Sequence, residues 1–227
     1  MRSHYMDLPA VVINFKAYAQ AMGARAVEIA KAAERVHHET GVSVIVAPNA
    51  VDLVKVREAV DIPVFAQHVD AYQPGAHTGS VLLEMLAEWG IDGTIINHSE
   101  RQVNFSWVEY VVHRARDLHL EVIACAADEV IARAVSDLQP NAVAVEPPEL
   151  IGTDISVSKA KPDIIRRSVE LVHAPVLVGA GVKTTEDVRK AVELGAQGVL
   201  VASGVTKAKD PYRAIMELAE GIIRAKP

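Results

Sequence analysis

The sequence predicts an α/β protein whose eight strand–helix units form one closed (β/α)8 barrel. Short runs of β-branched residues alternate with longer helical patterns along the whole 227-residue chain. The strand segments are continuously apolar, which is typical of parallel strands buried on both faces. No long segment interrupts the units, so residues 1–227 are expected to form a single domain. The alternative is an open doubly wound sheet. That fold usually has a glycine-rich turn after its first strand, and Asn14-Phe15-Lys16 contains no glycine.

The first four units follow from apolar runs and the helical spacing between them. Apolar residues at helical spacing follow the first strand and stop at Gly41, a residue that commonly ends helices. Gly90 ends the third helical pattern in the same way. The predicted strands are residues 11–16, 42–48, 64–70 and 93–98, and the predicted helices are residues 26–40, 53–60, 82–89 and 106–118.

The last four units repeat this alternation. Valine-rich and alanine-rich runs predict the strands, and charged residues interspersed with apolar ones predict the helices. The predicted strands are residues 121–126, 142–146, 175–181 and 198–204, and the predicted helices are residues 128–138, 161–172, 185–194 and 211–224.

Composition excludes several functional classes. The net charge is −6 and charges of both signs are interspersed. The sequence shows neither a cluster of Lys and Arg nor an aromatic platform, so it does not predict nucleic-acid binding. No apolar run approaches the roughly 20 residues that a membrane span needs. The one cysteine, Cys125, excludes an intrachain disulfide and is typical of a reducing cytoplasm. Residues 1–9 lack the apolar stretch of a signal peptide, and we expect a mobile extension there.

Polar residues and glycines collect at the predicted carboxyl ends of the strands. In a parallel barrel these ends meet at one face, where active sites lie. The sequence therefore predicts an active site there, formed from these residues: Asn14, Lys16, Asn49, Gln67, His68, Asn97, His98, Cys125, Glu146, Gly179, Gly181, Ala202 and Ser203.

Glu146 is the candidate general base. It ends a buried strand, where an ionised carboxylate is costly unless it is paired or used. Pro147 and Pro148 stiffen the chain after it, and Gly152-Thr153 supplies a flexible far end, so residues 146–154 are expected to form a mobile lid. The alternative is a structural carboxylate that pairs with a lysine or caps a helix.

His98 and Lys16 are candidates for stabilising negative charge. His98 precedes Ser99-Glu100-Arg101-Gln102, which has the form of a capping box with Ser99 as N-cap. A helix N-terminus there would keep the imidazole neutral. Lys16 would bind an anion, and Asn14 points the same way along the strand. The alternatives are a hydrogen-bonded core histidine and a lysine that extends from the barrel rim to solvent.

Other groups carry weaker predictions. His68 and His77, like His98, could be either functional residues or hydrogen-bonded core histidines. No spacing of His or Cys predicts a metal site. The glycine-containing turns 179–181 and 202–204 end the last two strands, where barrels often bind phosphate through backbone N–H groups. Tight strand–helix turns without a ligand are the alternative for these glycines.

Taken together, these stretches resemble the triosephosphate isomerase family, and in particular its short archaeal branch. The matching stretches occur in the family's order over nearly the whole chain from residue 11: residues 14–16, 67–71, 75–79, 97–101, 145–153, 157–162, 179–181 and 200–211. The resemblance implies a TIM barrel that interconverts dihydroxyacetone phosphate and D-glyceraldehyde 3-phosphate through an enediolate, in glycolysis and gluconeogenesis. It also implies that neither a metal nor an organic cofactor is needed.

The resemblance assigns roles residue by residue. Glu146 would be the base and His98 the electrophile that polarises the carbonyl. Lys16 would stabilise the enediolate, with Asn14 orienting it and Glu100 assisting the site. The implied substrate contacts, many of them through backbone groups, are Asn14, Phe15, Lys16, Ile151, Gly152, Gly179, Gly181, Ala202 and Ser203. A lid closed over the enediolate would keep it from expelling its phosphate.

The chain departs from the family pattern in the lid, which usually reads Gly-Thr-Gly and here reads Gly152-Thr153-Asp154. Our hypothesis is slower or altered lid closure with the chemistry retained. Asp154→Gly would test it, and equal loop kinetics and substrate affinity in the variant would contradict it.

The resemblance to the short members of this family implies a tetramer built from dimers, so a homo-oligomer is expected. Trp107 and Tyr110 lie off the apolar stripe of their helix and are candidates for that contact. The alternative is packing against a neighbouring helix of the same chain. Trp107→Glu combined with Tyr110→Lys is expected to yield smaller assemblies.

Two other functions stay open from the sequence. One is another phosphosugar-binding barrel enzyme, such as an aldolase or an epimerase. A Schiff-base aldolase would need a lysine where Glu146 stands, and a metal epimerase would need His and Asp ligands on several strands. The other is a catalytically silent homologue that acts as a binding protein.

Overall fold

A computed structural model describes residues 6–151 and 155–225. The expected eight parallel strands are present and lie in the order β2-β1-β8-β7-β6-β5-β4-β3. Their bounds are β1 (Ala10–Asn14), β2 (Ser43–Ala47), β3 (Phe65–Ala66), β4 (Gly93–Ile96), β5 (Glu121–Ala126), β6 (Ala142–Val145), β7 (Val176–Val178) and β8 (Gly198–Val201). A parallel bridge between Val46 and Val64 joins the two ends of this order and closes the barrel.

Helices alternate with the strands as predicted. Their bounds are α1 (Ala24–Thr40), α2 (Leu53–Ala59), α3 (Leu83–Glu88), α4 (Phe105–Asp117), α5 (Glu129–Ser136), α6 (Val157–Ala160), α7 (Pro162–Leu171), α8 (Thr185–Glu193), α9 (Ser203–Thr206) and α10 (Pro211–Ala225). The short helices α6 and α9 were not expected from the sequence. The predicted end of α1 is confirmed, because Gly41 has the left-handed φ of 71° that glycine adopts easily.

Alternation along each strand divides the core into two layers. Val11 and Ile13 point outward and pack with the helices, whereas Ala10 and Val12 point inward and fill the barrel. The same alternation places Asn14 at the carboxyl end of the barrel interior, above Val12. An apolar interior below a polar rim is what confines a site to one end of the barrel.

The opposite end of the barrel is partly closed by the N-terminal segment. Met6 and Leu8 pack against the interior layer, and the Met6 backbone N–H donates to the Glu121 carboxylate at 2.7 Å. The sequence predicts a mobile extension over residues 1–9. Its described part, from Met6 onward, lies against the barrel, and residues 1–5 lie outside the described residues.

In the part of the chain that the structure describes, no helix is both long and apolar enough to cross a membrane.

Candidate active site

One cavity lies at the carboxyl end of the barrel, and it has two lobes that share Asn14, Lys16 and His98. The first lobe extends toward β7 and β8 and is lined by these further residues: Tyr18, Glu146, Ile151, Ala180, Gly181, Val182, Lys183, Leu200, Val201, Ala202, Ser203 and Gly204. The second lobe lies beside β2, β3 and β4 and includes Gln67, His68 and Glu100. Side chains from strands distant in sequence therefore meet in one space.

Glu146 and His98 face each other in this cavity. Glu146 directly follows β6 and is only 6% exposed, and its Oε1 lies 3.4 Å from Nε2 of His98. Both atoms are buried and make no hydrogen bond with the residues that the structure describes. Buried polar atoms are nearly always satisfied in folded proteins, so this unsatisfied pair indicates a place where a ligand would supply the missing partners.

His98 reaches the cavity because the chain turns at Asn97. Ile96 points to the outer layer, so regular alternation would direct His98 outward too. Asn97 instead adopts a φ of 60°, a conformation that Asn tolerates better than most residues. Its side chain donates to the Cys125 carbonyl and accepts from the Val103 backbone N–H, at 3.0 Å each. These two bonds hold the turn that brings the imidazole inside.

The predicted capping box at Ser99 is wrong. Residues Ser99–Arg101 form a single 3-10 turn, and His98 is its N-cap. The Glu100 backbone N–H donates to Nδ1 of His98 at 3.1 Å. An acceptor nitrogen carries no proton, so this bond favours the neutral tautomer with its proton on Nε2, which faces Glu146.

Two opposing influences act on the pKa of His98. Burial lowers it, whereas the Glu146 carboxylate 3.4 Å away raises it, with a smaller contribution from Glu100. The pKa of His98 is therefore raised in the ligand-free site. The raised pKa does not support the expectation that the imidazole is neutral at physiological pH, which stays a prediction.

Lys16 is held in a strained backbone conformation. Its φ is 50°, which costs on the order of 1 kcal/mol or more for a residue with a Cβ. The Asn14 side chain accepts from its backbone N–H at 2.9 Å, and Gln67 donates to its carbonyl at 3.0 Å. Its ammonium pairs with Glu100 at 2.8 Å. The strain is offset by contacts that fix a positive charge at the cavity.

Gly179 does not line the cavity but makes room for the carboxylate. A Cβ at this position would lie 2.3 Å from Cγ and 2.5 Å from Oε2 of Glu146. Leu177, two residues earlier on β7, points into the barrel, so a side chain at Gly179 would occupy the space of the carboxylate.

The burial of Cys125 and its proximity to Glu146 raise the pKa of that thiol well above its usual value.

The remaining predicted residues are distributed as follows. Ile151, Gly181, Ala202 and Ser203 line the first lobe. The Phe15 side chain lies in the outer core layer, because strand alternation turns it away from the interior, so it could contact a ligand only through its backbone. Gly152 and Asp154 lie outside the described residues.

The two other candidate histidines, His68 and His77, contact side chains other than Glu146. His68 borders the second lobe and pairs with Asp70 at 3.2 Å. Exposed His77 stacks on Tyr72, with ring centroids 4.2 Å apart. Over residues 6–151 and 155–225, no group of three or more His, Cys, Asp or Glu is arranged to hold a metal ion.

Sequence reasoning missed Tyr18 and Lys183, which line the first lobe. Lys183 follows Gly181 by two residues, so a basic residue beside a predicted phosphate turn was an available signal. Tyr18 carries no such signal. Its ring lies 4.4 Å from the ammonium of Lys207, a residue far away in sequence.

Comparison with known proteins identifies the family. The family model for triosephosphate isomerase matches residues 9–219. Triosephosphate isomerase of Pyrobaculum arsenaticum is 50% identical over 188 residues, which cover 81% of this chain and 84% of that protein. The Pyrobaculum calidifontis protein of the same name is 51% identical over 188 residues, covering 81% and 82%. The Methanocaldococcus jannaschii protein of that name is 47% identical over 183 residues, covering 78% and 84%. With its barrel and its paired carboxylate and imidazole, the chain belongs to the triosephosphate isomerase family.

Proposed function

We propose that this chain interconverts dihydroxyacetone phosphate and D-glyceraldehyde 3-phosphate by moving a proton between adjacent carbons. The observation that carries the proposal is the pair of Glu146 and His98, two buried polar groups 3.4 Å apart that open onto the same cavity. A carboxylate and an imidazole at this separation can act together on a three-carbon substrate.

Glu146 is the base in this proposal. It takes the proton from C1 of dihydroxyacetone phosphate, which leaves an enediolate, and it returns the proton to C2. His98 donates from Nε2 to the carbonyl oxygen, because the Glu100 backbone N–H occupies Nδ1. Once Glu146 holds the substrate proton, its negative charge no longer raises the pKa of the imidazole. Neutral His98 is then able to relay protons between the two substrate oxygens.

Lys16 stabilises the negative charge that develops on the enediolate. Its strained backbone and its pairing with Glu100 fix the ammonium before substrate arrives. A preorganised charge of this kind costs little reorganisation during the reaction. Asn14 supports it by accepting from the Lys16 backbone N–H.

The phosphate would lie between the loops after β7 and β8. Gly181 and Ser203 line that end of the cavity and offer backbone N–H groups, and Lys183 lines it as well. Ile151 lines the same lobe from residues 146–154, the segment that would close as a lid. A closed lid holds the phosphate in place and excludes water from the enediolate.

The test is conversion of dihydroxyacetone phosphate, with formation of glyceraldehyde 3-phosphate coupled to a dehydrogenase. Glu146→Gln is expected to lower kcat by about 10³-fold or more, since general-base catalysis contributes up to about 10⁴-fold. Glu121→Gln is the matched control. Glu121 is also 6% exposed, yet it lies at the opposite end of the barrel, and this variant is expected to retain activity.

The same measurement separates the alternatives. Absence of isomerase activity in the wild-type chain would favour a silent binding protein or an enzyme that acts on another phosphosugar. Full activity in Glu146→Gln would contradict the assignment of the base.

We propose further that the chain forms a homo-oligomer, a tetramer built from two dimers, and works in the cytoplasm. Large apolar side chains are exposed on neighbouring helices: Met85 on α3, Phe105 on α4, and Val130 and Ile131 on α5. Exposed apolar side chains on adjacent elements favour association between copies.

A further inference from the structure

Tyr18 has the largest side chain among the described residues that line the first lobe of the cavity, and none of the proposed catalytic steps uses it. Its ring is half-buried and packs against the outer core layer. A large side chain at the edge of a small-molecule site limits the space that a ligand can occupy. The position of this ring therefore bears on which substrates fit.

The strand order places Tyr18 beside the proposed phosphate end of the cavity. Because β1 pairs with β8, the loop after β1 lies next to the loop after β8, which carries Ser203. Glu146 and His98 follow β6 and β4, farther round the barrel. A substrate that extends from this reacting pair toward Ser203 would have its phosphate beside Tyr18.

The loop that carries Tyr18 is held at both ends. At its start, Lys16 is fixed by the backbone hydrogen bonds described above. At its far end, the Gly23 backbone N–H donates to the Asp52 carboxylate at 2.8 Å. Between these points, the Ala21 N–H donates to the Tyr18 carbonyl at 2.9 Å and closes a single 3-10 turn. These bonds fix the backbone from which the ring extends.

A cation from another element holds the ring itself. The Lys207 ammonium lies 4.4 Å from the centroid of the Tyr18 ring, where the electron density of the aromatic face attracts it. Lys207 directly follows α9, and its backbone N–H donates to the Ser203 carbonyl at 3.1 Å. The ring is therefore tied to the same short helix that borders the proposed phosphate end.

A structural role explains these contacts only in part. Core packing and the contact with Lys207 would stabilise the loop even if the ring stood outside the cavity. The Tyr18 ring instead forms part of the cavity wall, on a loop that is fixed at both ends. A tyrosine side chain has only two χ angles, so little freedom remains once its ring is held. This wall therefore yields poorly to a ligand that needs more room.

We propose that Tyr18 is a specificity-determining residue that limits the site to three-carbon phosphates, and that Lys207 is a positioning residue that acts through the Tyr18 ring. A sugar phosphate with one more carbon would carry its phosphate farther from Glu146 and His98, into the space of the ring. The inference rests on the proposed function, because it takes that pair as the reacting end and the loops after β7 and β8 as the phosphate end.

The readout is the ratio of kcat/KM for a four-carbon substrate to kcat/KM for dihydroxyacetone phosphate. Erythrulose 4-phosphate would isomerise to erythrose 4-phosphate by the same step. A C–H bond breaks at C1, a C–H bond forms at C2, and the hydroxyl proton moves from the oxygen on C1 to the oxygen on C2. Loss of folded protein lowers both activities by the same factor, so the ratio reports on the shape of the site and not on stability.

The variants separate the ring from the cation that holds it. Tyr18→Ala opens the wall and is expected to raise the ratio about tenfold, since one extra carbon in a fitted pocket is worth about 10- to 200-fold. Tyr18→Phe keeps the ring and is expected to keep the wild-type ratio. Lys207→Met frees the ring and is expected to raise the ratio about threefold, the strength of one exposed cation–π contact. Lys209→Met is the matched control, because Lys209 is exposed and lies outside the cavity lining.

An unchanged ratio in Tyr18→Ala would overturn the proposal, as would four-carbon activity too low to detect in every variant that still isomerises dihydroxyacetone phosphate. If Tyr18→Ala fails to fold, an unchanged ratio in Lys207→Met, a substitution at an exposed residue, overturns it instead. Failure of the proposed function is distinguishable, since the wild-type chain would then not isomerise dihydroxyacetone phosphate at all.

Discussion

Glu146 and His98 determine each other's chemistry at the scale of single residues. Burial lowers the pKa of His98, and the adjacent carboxylate raises it. In Glu146→Gln, burial and the Glu100 N–H at Nδ1 remain, so the pKa of His98 is expected to fall below its ordinary value of about 6.5. Imidazole nitrogen shifts followed by NMR against pH would measure it. A pKa that stays raised would show that Glu146 is not the group that raises it.

Glu121 is a buried carboxylate outside the active site, and it makes stability depend on pH. Burial raises its pKa from 4.5 to about 7, against the hydrogen bond from Met6 that lowers it. Because the folded-state pKa is the higher one, the stabilising contribution is complete below pH 4.5 and is lost as pH rises through 7. Glu121→Gln removes this loss and keeps an acceptor for the Met6 N–H.

The free energy of unfolding of Glu121→Gln, relative to the wild type, is therefore expected to increase between pH 5 and pH 8. The increase is bounded by roughly 3 kcal/mol, at about 1.36 kcal/mol per pKa unit. Urea unfolding at the two pH values measures it. An equal difference at both values would contradict the raised pKa.

The sequence predicted the reactive side chains more readily than their surroundings. Glu146, His98 and Lys16 were recognisable because a polar residue that ends an apolar strand in a barrel points to the active-site face. Tyr18 was not recognisable, since it enters the cavity through a loop whose path depends on tertiary contacts. The inward turn at Asn97 was hidden for the same reason, as strand periodicity alone directs His98 to the outer layer.

At the scale of elements, pairing of β6 with β7 sets the position of the base. The Gly179 N–H donates to the Val145 carbonyl at 3.0 Å, so the glycine lies beside Glu146 in register. Gly179→Ala would place a methyl group within 2.6 Å of Cγ, Cδ and Oε2. The carboxylate must move, and displacement of a catalytic group by about 1 Å can cost on the order of 10²-fold in rate.

We therefore expect kcat to fall by about 10²-fold in Gly179→Ala, with the circular dichroism spectrum retained. Gly75→Ala is the control, because a Cβ at Gly75 would meet its nearest neighbour, His77, at an ordinary 3.7 Å. Undiminished turnover in Gly179→Ala would mean that the position of Glu146 tolerates the displacement.

Long periodic elements were predictable, and short ones were not. The strongly patterned helices α4, α8 and α10 end within one residue of their predicted bounds. The predicted strand 64–70 was too long. Only Phe65–Ala66 form β3, and Val64 makes a single bridge to Val46. The residues that follow β3, such as Gln67 and His68, line the second lobe. Helices α6 and α9 have four residues each, which is too few to show a helical period.

At the scale of the whole molecule, the exposed apolar surface lies elsewhere than the sequence suggested. The Trp107 indole N–H donates to the Val69 carbonyl at 3.1 Å, and Tyr110 packs against the core. Changing that pair to charged residues would disturb the fold of one chain, so a smaller assembly in that variant would not identify an interface. Phe105 on α4 and Val130 on α5 are among the large apolar side chains that are exposed in the described part of the chain.

These two residues lie in the first turns of helices that follow paired strands, so both stand at the active-site end of the barrel. If that face joins copies of the chain, Phe105→Glu with Val130→Lys is expected to lower the mass in solution from four chains to two or one. Ile223→Lys is the control, because exposed Ile223 lies on α10, which follows β8 on the opposite side of the barrel. Light scattering at equal protein concentration measures the masses. A wild-type mass of one chain would contradict the predicted oligomer. A mass reduced only in Ile223→Lys would show that the interface includes α10 and not the face of Phe105 and Val130.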